Sequence, residues 1–136
     1  MKYLLDTCSF IWFITEDSKL PQELRKLINS NDNVYVSYTT FWEIAIKQNK
    51  GKLSIITMNI YELAEICREY GIIILPLKLS YLERLKKLPF VHNDPFDRII
   101  IAMAIEEDMT LLTKDSEIIK YSGVKTLWQL TKGGTI

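Results

Sequence analysis

Apolar residues along the chain occur in two kinds of run, which predict two kinds of secondary structure. Short runs rich in leucine, β-branched and aromatic residues predict strands, and longer runs with apolar positions three and four residues apart predict helices. The predicted strands cover residues 3–5, 34–37, 72–75, 109–113 and 124–127. The predicted helices cover residues 9–15, 21–29, 39–50, 59–70, 79–88, 95–107 and 116–121. This alternation predicts an α/β domain with a central, mainly parallel sheet.

Particular residues indicate where some of these elements end and how deeply they are buried. Thr39 or Thr40 is placed to cap the third helix, which Gly51 then ends. The strand at 72–75 contains no polar residue, so we expect it to be covered on both faces. The strand at 3–5 is expected near the centre of the sheet.

The composition is that of a globular protein, with 48% hydrophobic and 25% charged residues among 136. We expect one domain over residues 1–130 and a flexible tail over residues 131–136.

The formal net charge is zero, so a nucleic-acid partner would have to be held by a local basic patch or by metal ions. Two cysteines, Cys8 and Cys67, are too few for a disulfide framework, and we expect a cytoplasmic location. Neither a signal peptide nor an apolar stretch of roughly 20 residues is apparent, which predicts no membrane contact.

Several carboxylates lie inside or beside strongly apolar segments, where an unpaired charge is unfavourable. Asp6 follows the first strand, Glu43 has apolar neighbours on both sides, and Asp97 precedes the apolar run 99–105. Such carboxylates require a cation or strong hydrogen-bond donors. Asp115 follows the fourth strand, and open parallel sheets bind ligands beyond the carboxyl ends of their strands. The pattern predicts a Mg²⁺ or Mn²⁺ site made of acids, with no cysteine or histidine nearby.

Each acid also has a simpler structural interpretation. Asp6 can cap the helix that follows it, and Glu43 can pair with Lys47 at the i, i+4 spacing. Asp94 is best explained as the N-cap of the helix that begins at residue 95. Asp115 can equally well be a cap or turn residue. These interpretations do not explain why the segments that hold Asp6, Glu43 and Asp97 are so apolar.

Four segments combine these acids with their apolar neighbours in one order along the chain. They are LLDT at 4–7, SYTTFWEIAIK at 37–47, HNDPFDRIIIA at 92–102 and LLTKD at 111–115. Together they resemble the PIN domain of the VapC type, the toxin half of bacterial toxin–antitoxin pairs. The segments span almost the whole chain, and WEIAIK and DPFDR are the most specific of them.

The resemblance implies a three-layer α/β/α fold and a Mg²⁺- or Mn²⁺-dependent endoribonuclease. Asp6, Glu43 and Asp97 match the metal-binding acids of the family, and Asp115 matches its more variable fourth acid. Thr7 and Thr113 match small polar positions that support the site in the family. The resemblance also implies an RNA substrate, a cognate antitoxin protein and a homodimer.

The predicted mechanism gives each acid a role in phosphodiester hydrolysis. Asp6 and Asp97 are expected to bind a first metal directly, with Glu43 as a further ligand or as the base for the attacking water. Asp115 is expected to hold a second metal or a metal-bound water. Whether one or two metals bind stays open.

Basic and aromatic side chains near these segments are candidates for contact with RNA. The candidate cations are Lys47, Lys50, Lys52, Arg84, Lys86, Lys87, Arg98 and Lys114. A solvated surface charge is the simpler interpretation of each. Trp12 and Phe13 can stack on bases, although packing in the core or against a partner is favoured. His92 is interpreted as a hydrogen-bonding loop residue, and Cys8 as a small buried residue.

Three other classes of protein have a comparable size or fold. A phospho-acceptor receiver domain is excluded because no acid follows the third strand at 72–75. A haloacid-dehalogenase-like phosphatase is excluded because Asp6 lacks a second Asp two residues later. A catalytically inactive PIN-like interaction module remains the alternative. Mn²⁺ binding that Asp97→Asn abolishes would separate the enzyme from that module.

Overall fold

The structure is a computed structural model that describes residues 1–30 and 32–128. The tail predicted at 131–136 lies outside these residues. Within them, five strands and seven helices alternate in the order β1 (Tyr3–Leu5), α1 (Thr7–Ile14), α2 (Gln22–Ser30), β2 (Val34–Ser37), α3 (Tyr38–Asn49), α4 (Ile60–Glu69), β3 (Ile73–Leu75), α5 (Leu79–Lys86), α6 (Pro95–Glu106), β4 (Thr110–Leu112), α7 (Ser116–Ile119) and β5 (Lys125–Leu127). Over the described residues, no helix has the length and apolar character that a membrane span requires.

The five described strands form one sheet in the order β3-β2-β1-β4-β5, and all four pairings are parallel. β1 lies at the centre, as predicted: Leu4 pairs with Tyr35 of β2 on one side and with Leu111 of β4 on the other. Successive residues of a strand point to opposite faces. Leu4 and Leu5 accordingly belong to two different hydrophobic cores.

The two cores divide the helices between the two faces of the sheet. The core around Leu5 contains side chains of α1, α2, α3 and α4, whereas the core around Leu4 contains side chains of α5, α6 and α7. The fold is therefore the expected three-layer α/β/α arrangement, with a sheet whose described strands are all parallel.

Helix α6 is buried around most of its circumference. Asp94 is its N-cap and Pro95 its first residue, as predicted, and every residue from 98 to 104 is buried. A helix that is apolar nearly all round needs contact on several sides. Its N-terminus, with Asp97 in the first turn, is thereby held in a fixed position.

Two sequence-based predictions about local structure are wrong. β3 is an edge strand with one neighbour, and Ile73 is 43% exposed, so the strand is not covered on both faces. A continuous apolar run does not show whether its strand lies at the centre or at the edge. The N-cap of α3 is Ser37, whose hydroxyl accepts from the Thr39 backbone N–H at 2.9 Å, because β2 leads directly into the helix. Thr39 and Thr40 are instead buried residues of the first turn.

Short connections place the functional residues at one edge of the sheet. Asp6 stands between β1 and α1, Ser37 ends β2 and caps α3, and Asp115 stands between β4 and α7. All three strands are parallel, so their carboxyl ends meet at the same edge.

Candidate metal centre

A cavity of about 500 Å³ opens at this edge of the sheet. All four acids that the sequence analysis selected line it, and Asp94 is a fifth. The lining residues are Asp6, Thr7, Cys8, Trp12, Glu43, Lys47, Asp94, Asp97, Lys114, Asp115 and Ser116. Carboxylates from four regions of the chain therefore face one space.

Asp6 is both a helix cap and a cavity residue. Its Oδ1 accepts a hydrogen bond of 2.8 Å from the Ser9 backbone N–H, which makes Asp6 the N-cap of α1. The residue is 6% exposed, and burial raises the pKa of its carboxyl group. Hydrogen bonds from Ser9 and Thr113 act in the opposite direction on that pKa. The cap interpretation and the site interpretation of Asp6 are thus compatible.

Glu43 lines the cavity, and its two carboxylate oxygens differ in their hydrogen-bond partners. Oε2 lies 3.0 Å from Nζ of Lys47, which is the i, i+4 pair considered above. Oε1 is buried and has no hydrogen-bond partner among the described residues. A buried acceptor without a partner costs roughly 1–3 kcal/mol, and more when it is charged. The Lys47 pair therefore accounts for only part of the charge of Glu43, and the remaining oxygen fits a cation.

Asp97 lies close to several other carboxylates of this site. Burial, together with the negative charges of Asp94, Asp6 and Asp115, raises its pKa to about 7, although His92 acts in the opposite direction. Asp94 is fixed as the N-cap of α6, with Oδ1 accepting from the backbone N–H groups of Phe96 at 2.9 Å and Asp97 at 3.4 Å. Repulsion among these carboxylates is what a bound cation relieves.

Asp115 combines the two roles that the sequence left open. Its Oδ1 accepts from the Glu117 backbone N–H at 2.8 Å and caps α7. Its Oδ2 lies 3.3 Å from Nε2 of His92. Its own N–H donates to the Thr113 hydroxyl at 3.1 Å, so Thr113 supports this part of the site.

His92 lies within the acidic cluster, contrary to the prediction that no histidine is near. Nε2 is 2.9 Å from Oδ2 of Asp97 and 3.3 Å from Oδ2 of Asp115. One ligand atom from each of these three residues lies within 4.8 Å of the others. Sequence reasoning missed this because His92 belongs to a loop without periodicity. Its place two residues before Asp94, a predicted N-cap, was the available signal.

Cys8 and Trp12 also border the cavity. Cys8 is exposed rather than buried, because it lies on the side of α1 that faces the cavity. Desolvation and the negative charges of Asp6 and Asp97 together raise its pKa to about 11, so the thiol is protonated at neutral pH. Trp12 packs its ring edge-on against Trp128 at 5.8 Å while bordering the cavity. Phe13 is buried in the core, in agreement with the packing role that the sequence favoured.

The model of the PIN domain family matches residues 3–124 of the chain. The chain belongs to the PIN domain family. Its fold is similar to that of VapBC2 from Rickettsia felis bound to a promoter DNA fragment, with a TM-score of 0.71, 17% identity, and coverage of 95% of this chain and 100% of that one. It is also similar to that of DNA-bound VapBC from Salmonella typhimurium, with a TM-score of 0.67, 15% identity, and coverage of 93% and 97%. No curated protein sequence matches this chain significantly.

Membership of the family agrees with the resemblance seen in the sequence. PIN domains typically bind divalent metals, and this PIN domain presents carboxylate oxygens in one cavity. Hard cations such as Mg²⁺ prefer oxygen ligands. The unpaired Oε1 of Glu43 and the raised pKa of Asp97 both fit such an ion.

Lysines lie close to the acids of the PIN domain, both in the cavity and in a neighbouring hollow. Lys47 and Lys114 line the cavity itself, and Lys114 Nζ lies 5.2 Å from the centre of the Trp12 ring. A neighbouring hollow of about 210 Å³ is lined by Lys47, Lys50 and Lys52 together with two site acids, Glu43 and Asp94. We call these residues, Lys47, Lys50 and Lys52, the basic hollow.

Other candidate cations have structural partners instead. Arg98 is 8% exposed, and its guanidinium donates to the carbonyl of Pro89 at 2.9 Å and to the Tyr121 hydroxyl at 3.2 Å. Its guanidinium is held by Leu88, Pro89 and Tyr121, so it is not a solvated surface charge. On α5, Arg84 pairs with Glu106.

Proposed function

We propose that this PIN domain is a Mg²⁺- or Mn²⁺-dependent endoribonuclease and the toxin of a toxin–antitoxin pair. The observation that supports the activity is the convergence of Asp6, Glu43, Asp97 and Asp115 on one cavity in which Glu43 Oε1 has no protein partner among the described residues. Membership of the PIN family independently supports a nuclease.

The four carboxylates would hold the divalent cation. When bound, such an ion lowers the pKa of a coordinated water and neutralises charge on the phosphate. The chain's contribution is position: N-cap hydrogen bonds fix Asp6 and Asp115, and the buried helix α6 fixes Asp97. Glu43 is held by Lys47 through one oxygen, so the other is available as a ligand or proton acceptor.

RNA is the proposed substrate, and local cations are proposed to hold its backbone. With a net charge of zero, the chain needs a local basic surface for this. The basic hollow adjoins the acids, and Lys114 and Trp12 border the cavity. A single strand that crosses the cavity would meet cations for its phosphates and one aromatic ring for a base.

An antitoxin partner and a homodimer are proposed on two grounds. The similar folds from Rickettsia felis and Salmonella typhimurium belong to VapBC complexes. In this chain Tyr38, Trp42 and Tyr61 are 62%, 57% and 85% exposed and line a largely apolar hollow. Exposed apolar patches are typical of surfaces that bind proteins. Light scattering on the purified chain would test the homodimer through its mass.

Asp6→Asn tests the nuclease proposal without removing the helix cap, because asparagine caps helices as well as aspartate. Calorimetry would measure Mn²⁺ affinity, and cleavage of a labelled RNA would measure rate. We expect Mn²⁺ affinity to fall at least tenfold and cleavage at least 100-fold, since a ligand charge is lost. Asp32→Asn, at an exposed acid, is the matched control.

Two results would contradict the proposal in different ways. Wild-type cleavage by Asp6→Asn would reject the assignment of Asp6 to the site. Failure of the wild-type chain to bind Mn²⁺ or cut RNA would favour the alternative, a PIN-like module that only binds a partner.

A further inference from the structure

The chain's one histidine is held in a defined orientation between two site acids. His92 Nδ1 accepts a hydrogen bond of 3.1 Å from the backbone N–H of Asp94. A neutral imidazole has one N–H donor and one acceptor nitrogen. The acceptor role of Nδ1 therefore places the proton on Nε2, which is hydrogen-bonded to Oδ2 of Asp115 at 3.3 Å and also lies 2.9 Å from Oδ2 of Asp97.

The loop that carries this ring is fixed at several points. The backbone N–H of His92 donates to the Tyr121 hydroxyl at 2.8 Å, and Arg98 donates to the same hydroxyl at 3.2 Å. Arg98 also donates to the carbonyl of Pro89, at 2.9 Å, before the histidine in the same loop. Buried Arg98 and Tyr121 thus determine where the imidazole stands relative to the acids.

We propose that His92 is a positioning residue that holds Asp115 by a hydrogen bond from Nε2–H and Asp97 by close contact with the same nitrogen, and that it is not itself a metal ligand. This role rests on the proposed metal-dependent function. For Nε2 to coordinate an ion, its proton would have to move to Nδ1, where it would face the N–H of Asp94. The present hydrogen bond favours the opposite tautomer.

The role has a consequence for metal affinity and another for metal preference. Without the bridging donor, Asp97 and Asp115 repel each other and spread apart before an ion binds. Loss of a partner that orients metal ligands typically costs 10–100-fold in affinity. Because no ligand nitrogen is lost, the ratio of Zn²⁺ to Mn²⁺ affinity should hardly change; removing a nitrogen ligand would weaken Zn²⁺ most.

Nitrogen-15 NMR of the untagged chain reads the tautomer directly, because a single histidine gives unambiguous ring signals. We expect the Nε2–H form without metal, and the same form after addition of Mg²⁺ or Zn²⁺. A change to the Nδ1–H form on adding either ion would overturn the proposal, since it would mean that Nε2 coordinates the metal.

Calorimetry on variants tests the positioning role without measuring activity. His92→Ala should lower Mn²⁺ affinity 10–100-fold. His92→Gln, whose amide N–H can occupy the position of Nε2, should restore affinity to within about threefold. Unchanged affinity in folded His92→Ala, no rescue by glutamine, or a selective loss of Zn²⁺ binding would each overturn the proposal. If the wild-type chain binds neither ion, the proposed function fails and this role fails with it. If wild type and His92→Ala bind Mn²⁺ with the same affinity, only the role of His92 is rejected.

Discussion

The hydroxyl of Tyr81 on α5 donates a hydrogen bond of 2.6 Å to Oε2 of Glu107, the residue that caps the C-terminus of α6. Lys78 Nζ lies 3.2 Å from the same oxygen. The ring of Tyr81 is fully buried in the core that also holds α6. This contact joins α5 to the helix that carries Asp97.

Tyr81→Phe should lower the free energy of unfolding by about 1–3 kcal/mol at pH 7, because it removes a hydrogen bond to a carboxylate and little apolar contact. The Tyr81 hydrogen bond is the largest cause of the lowered pKa of Glu107. A lowered pKa in the folded state adds stability above the unfolded value of 4.5, and this stability is lost as pH falls through the folded value.

Urea unfolding at several pH values would check this prediction. The difference between wild type and Tyr81→Phe should be largest above pH 4.5 and should shrink at lower pH. Tyr61→Phe, at a tyrosine that is 85% exposed, is the control. A difference that grows as pH falls would contradict the assignment of the stability to ionised Glu107.

Asp97→Asn should stabilise the metal-free protein at pH 8 while removing a proposed metal ligand. Burial raises the pKa of Asp97 from 3.8 to about 7, so the folded state binds a proton that the unfolded state releases. Ionised Asp97 therefore destabilises the fold, and the cost grows as pH rises from 3.8 to about 7. We expect a gain of about 1–3 kcal/mol at pH 8 and almost none at pH 4.

Thermal unfolding in a chelator would measure this gain. Wild-type protein should recover a similar stability at pH 8 when Mn²⁺ is added, since a bound ion offsets the same repulsion. A lower melting temperature of Asp97→Asn at pH 8 in chelator would show that the carboxylate stabilises the fold without metal.

Lys50→Gln combined with Lys52→Gln should weaken binding of RNA more than it slows cleavage. Both lysines line the basic hollow but not the cavity that contains the four proposed metal ligands. We expect KM to rise about 3–10-fold at 0.1 M salt with kcat nearly unchanged. The salt dependence of binding should fall by roughly 0.7 in log–log slope for each single-strand phosphate contact that is lost.

Lys86→Gln combined with Lys87→Gln changes the net charge equally and serves as the matched control. Lys86 pairs with Glu83 on the exposed side of α5, outside the lining of both the cavity and the basic hollow. Equal effects of the two double variants on KM would indicate that only overall charge matters.

Arg98→Lys should lower stability and leave the affinity of the folded protein for RNA unchanged. Lysine cannot reproduce the set of hydrogen bonds from the guanidinium to Pro89, Leu88 and Tyr121. We expect a loss of about 1–3 kcal/mol in the free energy of unfolding. Arg84→Lys, at a more exposed arginine, should cost much less. Weakened RNA binding by fully folded Arg98→Lys would contradict the structural role.

Periodicity and short-range signals predicted most of the fold. They placed β1 at the centre of the sheet, identified Asp94 and Pro95 as the start of α6, and identified α6 as a buried helix. A helix cap depends on residues that are neighbours in the sequence, and the burial of a helix or strand depends on how many of its positions are apolar. The edge position of β3 depends on which strands pair, and residues 72–75 carry no information about their neighbours.

The site was predictable as far as its acids stand out against apolar sequence. Asp6, Glu43 and Asp97 were selected in this way, and Asp115 was selected because it follows the fourth strand. All four line one cavity, while their roles toward a metal remain a prediction. His92 was not placed, because it lies in a loop without periodicity, and only its position two residues before Asp94 pointed to the site. The burial of Arg98 was equally hidden, since its partners are mainly backbone carbonyls that any sequence provides.

The acids at the sheet edge are far apart in the sequence, and Asp115 joins Asp6 only when β4 pairs with β1. A chain emerging from the ribosome therefore has no complete acidic cluster until Asp115 has been translated and β4 has paired with β1. Any chemistry that depends on this cluster therefore requires the pairing of β4 with β1, and a chain cut before β4 lacks the cluster.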